Sequence, residues 1–361
     1  MKIGIEGSCV DGNYLWFSLD QVNGLCKMNL DTYEIEYVSM IPGEKAQMKF
    51  LFSDIKKYRD YLVLTPMNAK AVVIYNTKTE EFKRIPLTTN FIRNEVKYEG
   101  WSGFFSSVIL GDYIYMIPYK FPAILSINLI TFRCDYYDSF MNDIIQEYDE
   151  NKEFFREDIA VVDTEDSAYA VSLQYGGIFQ IDHRRSNMRF LWKTQACENL
   201  GFSCIQRIND KFVLLQMYQK KIVLFDNSWN EIETIKYTVK SAAGNFWDFV
   251  GSIRHESFIY YIPYQALEIM RFNVLTEEID FPIQFDTEPY YVRFWKYNNK
   301  LFCYGLFKIE CVNLDSMERQ IIKLKTPSDL LGPVVESSIE NGDVINESEG
   351  IDLNNLLAFL K

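Results

Sequence analysis

One tight turn recurs along this chain and constrains its architecture more than any other feature. In each copy an Asn or Asp follows a short apolar run, and the third residue after it is usually Thr or Ser. The copies are spaced 40 to 54 residues apart, which is typical of proteins built from repeated structural units. The seven copies are Asn29–Thr32, Asn76–Thr79, Asn128–Thr131, Asp182–Arg185, Asp226–Trp229, Asn273–Thr276 and Asn313–Ser316.

The residues around each turn predict a four-stranded unit. Residues 101–140 contain four short apolar runs that are separated by turn residues, and the recurring turn joins the third run to the fourth. Short runs at this spacing predict antiparallel strands. An Asn or Asp side chain accepts a hydrogen bond from the backbone N–H two residues on, so the turn closes a tight hairpin.

The first strand of most units carries small residues at one position. Strands that converge on a common axis leave little room for bulky side chains, so these residues predict the innermost strands of a radial array. The seventh unit departs from the pattern, with Val292, Arg293 and Phe294 at this place. The small residues are Gly7, Ser8, Cys9, Ser53, Ser106, Ser107, Ala160, Ser203, Cys204, Gly251 and Ser252.

In unit length and in the recurring turn, the chain resembles the broad Kelch-like and WD40-like β-propeller superfamily. The Gly-Gly pair of Kelch repeats and the Gly-His and Trp-Asp dipeptides of WD40 repeats do not recur with the period, so no subfamily is assigned. The resemblance implies an all-β fold, a seven-bladed β-propeller of four-stranded antiparallel blades over residues 1–325. Residues 326–361 are predicted to be a separate acidic tail.

Charge and composition exclude several classes of partner. The net charge of −13 repels polyanions, so we expect no nucleic-acid partner. We find no apolar stretch of about 20 residues and no signal-peptide pattern at residues 1–7, so we expect a cytoplasmic protein without membrane contact. The seven cysteines form no Cys-x-x-Cys pair, and we expect free thiols and no metal.

Aromatic residues predict a binding face. In a propeller, the loops between the second and third strands share one face with the connections between blades. Aromatic rings beside amides and carboxylates suit stacking on sugars or holding a peptide. The alternative is that these rings only wedge neighbouring blades together. The candidate ligand-binding residues are Trp101, Tyr119, Tyr175, Tyr218, Trp247, Asp248, Tyr264 and Tyr290.

Signals for catalysis are weak. The chain has two histidines and no zinc-binding or phosphate-binding motif, so we expect no cofactor and assign no catalytic residue. The leading hypothesis is a non-enzymatic recognition module for a peptide, protein or glycan. The alternative is a carbohydrate-active hydrolase or lyase with acids and tyrosines at the central funnel, for which Asp54 and Asp248 are the first candidates.

The C-terminal tail has its own pattern. Residues 326–361 contain seven acidic residues and one lysine, which favours disorder in the middle of the segment. Its end is apolar and predicts a short helix, which docks either on the chain's own propeller or on a partner. The apolar residues are Ile351, Leu353, Leu356, Leu357 and Leu360.

Overall fold

Seven antiparallel sheets follow one another along the chain and form a seven-bladed β-propeller. The structure is a computed structural model that describes residues 4–46, 48–88, 92–93, 96–97, 102–144, 167–172, 175–184, 187–193, 201–241 and 247–324. Six blades have four strands, and the described part of blade 4 has three. The predicted fold class is therefore confirmed. The predicted boundary at residues 325 and 326 stays a prediction, because the tail lies outside the described residues.

Each blade is built from contiguous chain, and strands pair in sequence order. Blade 1 contains β1 (Ile5–Asp11), β2 (Tyr14–Leu19), β3 (Leu25–Asn29) and β4 (Ile35–Ser39), and blade 2 contains β5 (Phe52–Tyr58), β6 (Tyr61–Pro66), β7 (Ala71–Asn76) and β8 (Phe82–Pro86). A small hairpin of β9 (Ile92–Arg93) and β10 (Val96–Lys97) follows. Blade 3 contains β11 (Phe104–Leu110), β12 (Tyr113–Pro118), β13 (Ile124–Asn128) and β14 (Cys134–Tyr137).

A single helical turn, α1 (Met141–Ile144), follows blade 3. No helix in the described part of the chain is both long and apolar enough to cross a bilayer. Blade 4 contains β15 (Ser167–Ser172), β16 (Gly177–Asp182) and β17 (Asn187–Lys193), and blade 5 contains β18 (Cys204–Ile208), β19 (Lys211–Gln216), β20 (Lys221–Phe225) and β21 (Glu231–Lys236). Blade 6 contains β22 (Phe249–His255), β23 (Phe258–Pro263), β24 (Glu268–Asn273) and β25 (Ile279–Gln284). Blade 7 contains β26 (Arg293–Tyr297), β27 (Lys300–Gly305), β28 (Lys308–Asn313) and β29 (Arg319–Ile322).

The hydrophobic core is divided among the joints between blades. The described residues form seven clusters of buried apolar side chains, and each cluster is shared by one pair of neighbouring blades. The second and third strands of a blade are buried on both faces, which explains why they are near-continuous apolar runs such as Ala71–Asn76. Every blade therefore depends on both neighbours for its burial.

The recurring turn has the predicted hydrogen bonds. The Asn76 Oδ1 atom accepts from the backbone N–H groups of Lys78 and Thr79, at 2.9 and 3.2 Å. Glu80 then adopts a left-handed conformation (φ 59°), and its N–H donates to the Asn76 carbonyl at 2.9 Å. The copies at Asn29, Asn128, Asp226, Asn273 and Asn313 also accept two backbone N–H bonds, and the copy at Asp182 lies partly outside the described residues.

The inner strands are as crowded as the small residues predict. A Cβ atom on Gly7 would lie 2.7 Å from the Phe52 carbonyl oxygen and 2.9 Å from the Asp54 nitrogen of the next blade. The Ser18 hydroxyl fills the remaining gap, since it accepts from the Gly7 N–H at 3.1 Å and donates to the Phe52 carbonyl at 3.2 Å. Glycine at position 7 is therefore required by the backbone of blade 2.

We expect Gly7→Ala to destabilise the protein by about 2 kcal/mol, because the new methyl group overlaps backbone atoms that are unable to rotate away. Gly24→Ala is the matched control, since its Cβ atom would meet side-chain atoms and no backbone: the flexible end of Leu19 at 2.8 Å and the Tyr37 ring at 3.4 Å. Urea unfolding of both variants measures the free energies. A cost for Gly24→Ala that equals or exceeds that for Gly7→Ala would contradict this account.

Side chains close the ring between blades 7 and 1. Arg293 on β26 forms an ion pair with Glu6, and its Nε atom donates to the Glu6 carbonyl oxygen at 2.9 Å. The Trp295 Nε1 atom donates to the Ser8 hydroxyl at 2.7 Å. The larger residues in the first strand of the seventh unit are thus explained by ring closure, because their side chains bind blade 1.

We expect Arg293→Ala to cost about 3 kcal/mol of unfolding free energy at neutral pH, because it leaves the mostly buried Glu6 carboxylate without its partner. Burial raises the pKa of Glu6, and the Arg293 charge opposes that shift. The variant therefore has a still higher Glu6 pKa, and its deficit shrinks as the pH falls and Glu6 becomes protonated.

Lys78→Ala is the control for Arg293→Ala. Lys78 pairs with Asp60 at 3.0 Å, but both side chains are exposed. Its removal should cost less than about 1 kcal/mol. Equal losses in the two variants, measured by urea unfolding at pH 7 and pH 5, would show that the ion pair does not secure the ring.

Candidate functional site

The loops between second and third strands and the connections between blades meet at one end of the propeller, which we call the candidate face. Backbone hydrogen bonds fix them to one another. The Gly103 N–H donates to the Met67 carbonyl at 2.7 Å, and the Tyr290 N–H donates to the Tyr264 carbonyl at 2.9 Å. These two loops are thus held by the connections beside them. The remaining turns form the opposite face.

Four of the predicted aromatic residues lie on the loops and connections of blades 5, 6 and 7 on the candidate face, and we call this set the aromatic arc. It consists of Tyr218, Trp247, Tyr264 and Tyr290, all half-buried. The Tyr264 and Tyr290 rings meet nearly at right angles, with centroids 5.4 Å apart. The Gln265 N–H donates to the Trp247 carbonyl at 3.1 Å, which ties the Trp247 connection to the Tyr264 loop.

Tyr119 lies elsewhere on the candidate face, beside the central channel. Its ring stacks on Phe105 with centroids 5.9 Å apart, and Phe105 lines a channel cavity of about 260 Å³. Trp101, the remaining predicted aromatic residue, lies outside the described residues. Sequence reasoning missed Phe105 and Val250, which also lines the cavity. Both sit at β-bulges, where the register of the first strand shifts.

Two predicted residues are buried and leave no surface for a ligand. The Tyr175 side chain is 3% exposed and packs in the cluster between blades 3 and 4. Asp248 is 0% exposed and forms an ion pair with Lys220, which joins the blade 5 loop to the next connection. Burial lowers the pKa of Lys220. Both residues hold the scaffold together, so they are not included in the proposed contact surface.

Asp54 acts as a clasp between blades 2 and 3. One oxygen, Oδ2, accepts from the Ser106 hydroxyl at 3.1 Å, the Ser107 N–H at 2.8 Å and the Ser107 hydroxyl at 3.0 Å. Lys56 lies 3.1 Å from the same oxygen. A carboxylate oxygen with four donors is committed to holding the two blades together.

The two histidines lie on the opposite face. His183 follows β16, and its Nδ1 atom is hydrogen-bonded to the Tyr115 hydroxyl. His255 ends β22, and its Nε2 atom lies 3.6 Å from Asp315. Because the sequence has no further histidine, imidazole chemistry is excluded from the candidate face. Among the described residues, no three His, Cys, Asp or Glu side chains form a metal site.

Sequence reasoning also missed a concave surface on blade 7, which we call the blade 7 patch. It encloses about 480 Å³. Arg319 crosses it, paired with Glu310 at 3.3 Å and positioned 5.0 Å above the Phe285 ring. Its apolar residues are Phe285, Pro289, Leu306, Met317 and Ile321, and its charged residues are Asp286, Glu288, Lys308, Glu310 and Arg319.

The hairpin between β27 and β28 shapes this patch. It turns through only two residues, Leu306 and Phe307, whereas the corresponding described loops of blades 2 and 3 have four and five. Both residues have left-handed backbone angles, φ 51° and 60°. A Cβ atom on Gly305 would lie 2.4 Å from the Tyr290 carbonyl oxygen, so the hairpin directly adjoins the aromatic arc.

Comparison with solved structures supports the fold. A catalytically inactive histidine-to-alanine variant of virginiamycin B lyase from Staphylococcus aureus, with quinupristin, is 14% identical and has a TM-score of 0.61, covering 84% of this chain and 92% of that one. A chain of the Mitotic Checkpoint Complex is 8% identical, with a TM-score of 0.58 and coverage of 83% and 84%. The RRP9 WD40 repeats are 8% identical, with a TM-score of 0.57 and coverage of 90% and 96%.

No protein-family model and no curated protein sequence matches this chain. The similarity to the solved structures is therefore a similarity of fold. The seven-bladed β-propeller fold is confirmed, WD40 repeats are among the structures similar to it, and no subfamily is assigned.

We expect the double substitution Leu306→Asn with Phe307→Gly to stabilise the protein by about 1–2 kcal/mol. Two left-handed residues in a two-residue hairpin favour Asn-Gly, and bulky side chains there cost about 1–2 kcal/mol each. Thermal and urea unfolding measure the gain. The control is the same pair of residues placed at Val63 and Leu64, in the buried part of β6, where they should destabilise strongly. Lower stability for the hairpin variant would contradict the strain.

Proposed function

We propose that this protein is a non-enzymatic recognition module that binds a peptide segment of a partner protein across the aromatic arc. The observation that carries this proposal is the contact between the Tyr264 and Tyr290 rings, on a loop and a connection that a backbone hydrogen bond joins. Tyr218 and Trp247 add two more half-buried aromatic side chains on the same face. The arc residues are thereby held in position before binding, which reduces the entropy lost when a ligand arrives.

The chemistry of the arc supports a peptide. Tyrosine and tryptophan are enriched among the residues that dominate binding energy at protein interfaces, because they bury a large apolar area and keep one polar group. The Tyr264 and Tyr290 rings meet edge to face and leave a corner between blades 6 and 7. An apolar or aromatic side chain of a peptide fits such a corner, with the flanking peptide groups at the polar rim.

The similar structures support protein recognition as a use of this fold, since one of them is a chain of the Mitotic Checkpoint Complex. A glycan is the other ligand that stacks on tyrosine and tryptophan rings. It remains an outcome of the test below.

The lyase among the similar structures is inactivated by loss of a histidine. On this chain both histidines lie on the opposite face, Asp54 binds four donors, and Asp248 is buried against Lys220. In the described part of the candidate face, no contact favours the hydrolase or lyase alternative, so we carry it no further.

The test is selection of a random peptide library displayed on phage against the full chain. We expect enriched peptides with an aromatic or large apolar anchor and micromolar affinity. Tyr264→Ala with Tyr290→Ala should weaken binding at least about tenfold, because truncation of central aromatic contacts costs more than about 1.4 kcal/mol. Isothermal titration calorimetry measures the affinities.

Tyr14→Ala is the matched control. Tyr14 is an exposed tyrosine at the start of β2, on the opposite face, and its removal should leave affinity unchanged. The absence of any enriched peptide, or equal losses in the two variants, would overturn the proposal. Binding to a glycan array that depends on Tyr264 and Tyr290, without peptide binding, would replace the peptide by a sugar.

A further inference from the structure

We propose that the C-terminal segment of this chain, residues 351–360, docks on the blade 7 patch. This inference goes beyond the proposed function and does not depend on it. The patch carries exposed apolar side chains beside its charged residues, since Leu306 and Ile321 are 63% and 57% exposed. Exposed apolar side chains that line one concave surface mark a contact site.

The apolar residue at the tip of the hairpin costs conformational free energy. Leu306 occupies a left-handed position that Asn or Gly fills with less strain. Its side chain is mostly exposed to solvent, so burial against the described residues does not offset the conformational strain. Strain of this type clusters at residues that serve a contact or another function.

The chain leaves the propeller beside the patch. Strand β29 is antiparallel to β28, which starts at the candidate-face hairpin, so β29 runs back toward that face. Ile321 on β29 lines the patch, and Leu324, the last described residue, follows three positions later. Residues 325–350 number 26, and a random coil of that length spans about 30 Å on average. The patch is therefore within easy reach.

Residues 351–360 have the leucine spacing of an amphipathic helix that binds an apolar groove. Leu353, Leu356, Leu357 and Leu360 stand at positions i, i+3, i+4 and i+7, which is one face of a helix. Recognition of such a face by an apolar groove is a common mode of peptide binding. A helix of ten residues is marginal alone in water, so it needs a surface.

Covalent connection makes even weak docking effective. Connection through 26 residues corresponds to an effective concentration of the segment on the order of 1 mM near the patch. A segment that binds with a dissociation constant of about 0.1 mM as a free peptide is then docked in about nine of ten molecules. A second copy of the chain reaches this occupancy only at comparable protein concentration, so the intramolecular contact is favoured in dilute solution.

Hydrogen exchange on the full chain tests the docking. Leu356→Asp with Leu360→Asp places two charges on the apolar face, and Asn354→Asp with Asn355→Asp is the matched control, with the same charge on the other face. We expect amides of residues 351–360 to exchange about tenfold faster in the leucine variant and at the wild-type rate in the control. Equal exchange in all three proteins would overturn the proposal.

The patch variant tests the other half of the contact. Leu306→Asn with Phe307→Gly keeps the hairpin and should itself fold well, so lost protection is not a folding artefact. We expect residues 351–360 to exchange as fast in this variant as in Leu356→Asp with Leu360→Asp. Protection that survives the hairpin substitution would place the segment elsewhere and overturn the proposal.

A photo-crosslinker identifies the occupant directly. p-Benzoylphenylalanine in place of Leu306, irradiated in dilute full-length protein, should give an intramolecular crosslink to residues 351–361, read by peptide mass spectrometry. Crosslinks only between two copies, or only to other parts of the chain, would overturn the proposal. Because Tyr264 and Tyr290 are unchanged in every variant, failure of this docking leaves the test of peptide recognition on the aromatic arc unaffected.

Discussion

The close approach of the innermost strands is the constraint on which the rest of this propeller depends. Seven sheets meet around one axis, and at the joint of blades 1 and 2 the backbones are so near that Gly7 has no room for a methyl group. Hydroxyl and carboxylate groups fill the gaps that remain. Ser18 bridges blades 1 and 2, Ser53 donates to the Phe104 carbonyl at 2.8 Å, and Asp54 clasps the Ser106 and Ser107 groups. Small size and hydrogen bonding thus act together at the axis.

Local chemistry made much of the fold predictable from the sequence. The Asn76 turn is recognisable from sequence because its hydrogen bonds reach only two and three residues along the chain. The number of copies of this turn then predicts the number of blades. The small residues of the inner strands are readable for the same reason, since crowding acts on each repeat alike. The exception at Arg293 is explained by ring closure, a contact with Glu6 that is 287 positions distant and has no local signal.

The candidate site was less predictable, because a loop position does not determine which way a side chain points. Tyr175 and Tyr218 both follow a second strand, yet the first is buried in a joint and the second is half-buried at the surface. Phe105 reaches the channel through a bulge, which depends on register. The blade 7 patch arises because one hairpin is two residues long, and its importance appears only when the neighbouring loops are seen to be longer.

The division of the core among seven joints has a mechanical consequence. Six joints are crossed by the continuous chain, whereas the contacts between the described residues of blades 7 and 1 are made by side chains. That joint is the seam of the ring. Tension applied at the two ends of the chain would part Arg293 from Glu6 first and peel the terminal blades away from each other. The remaining blades would then lose their neighbours in turn. The position of the joint between blades 7 and 1 therefore determines the order in which the blades unfold under force.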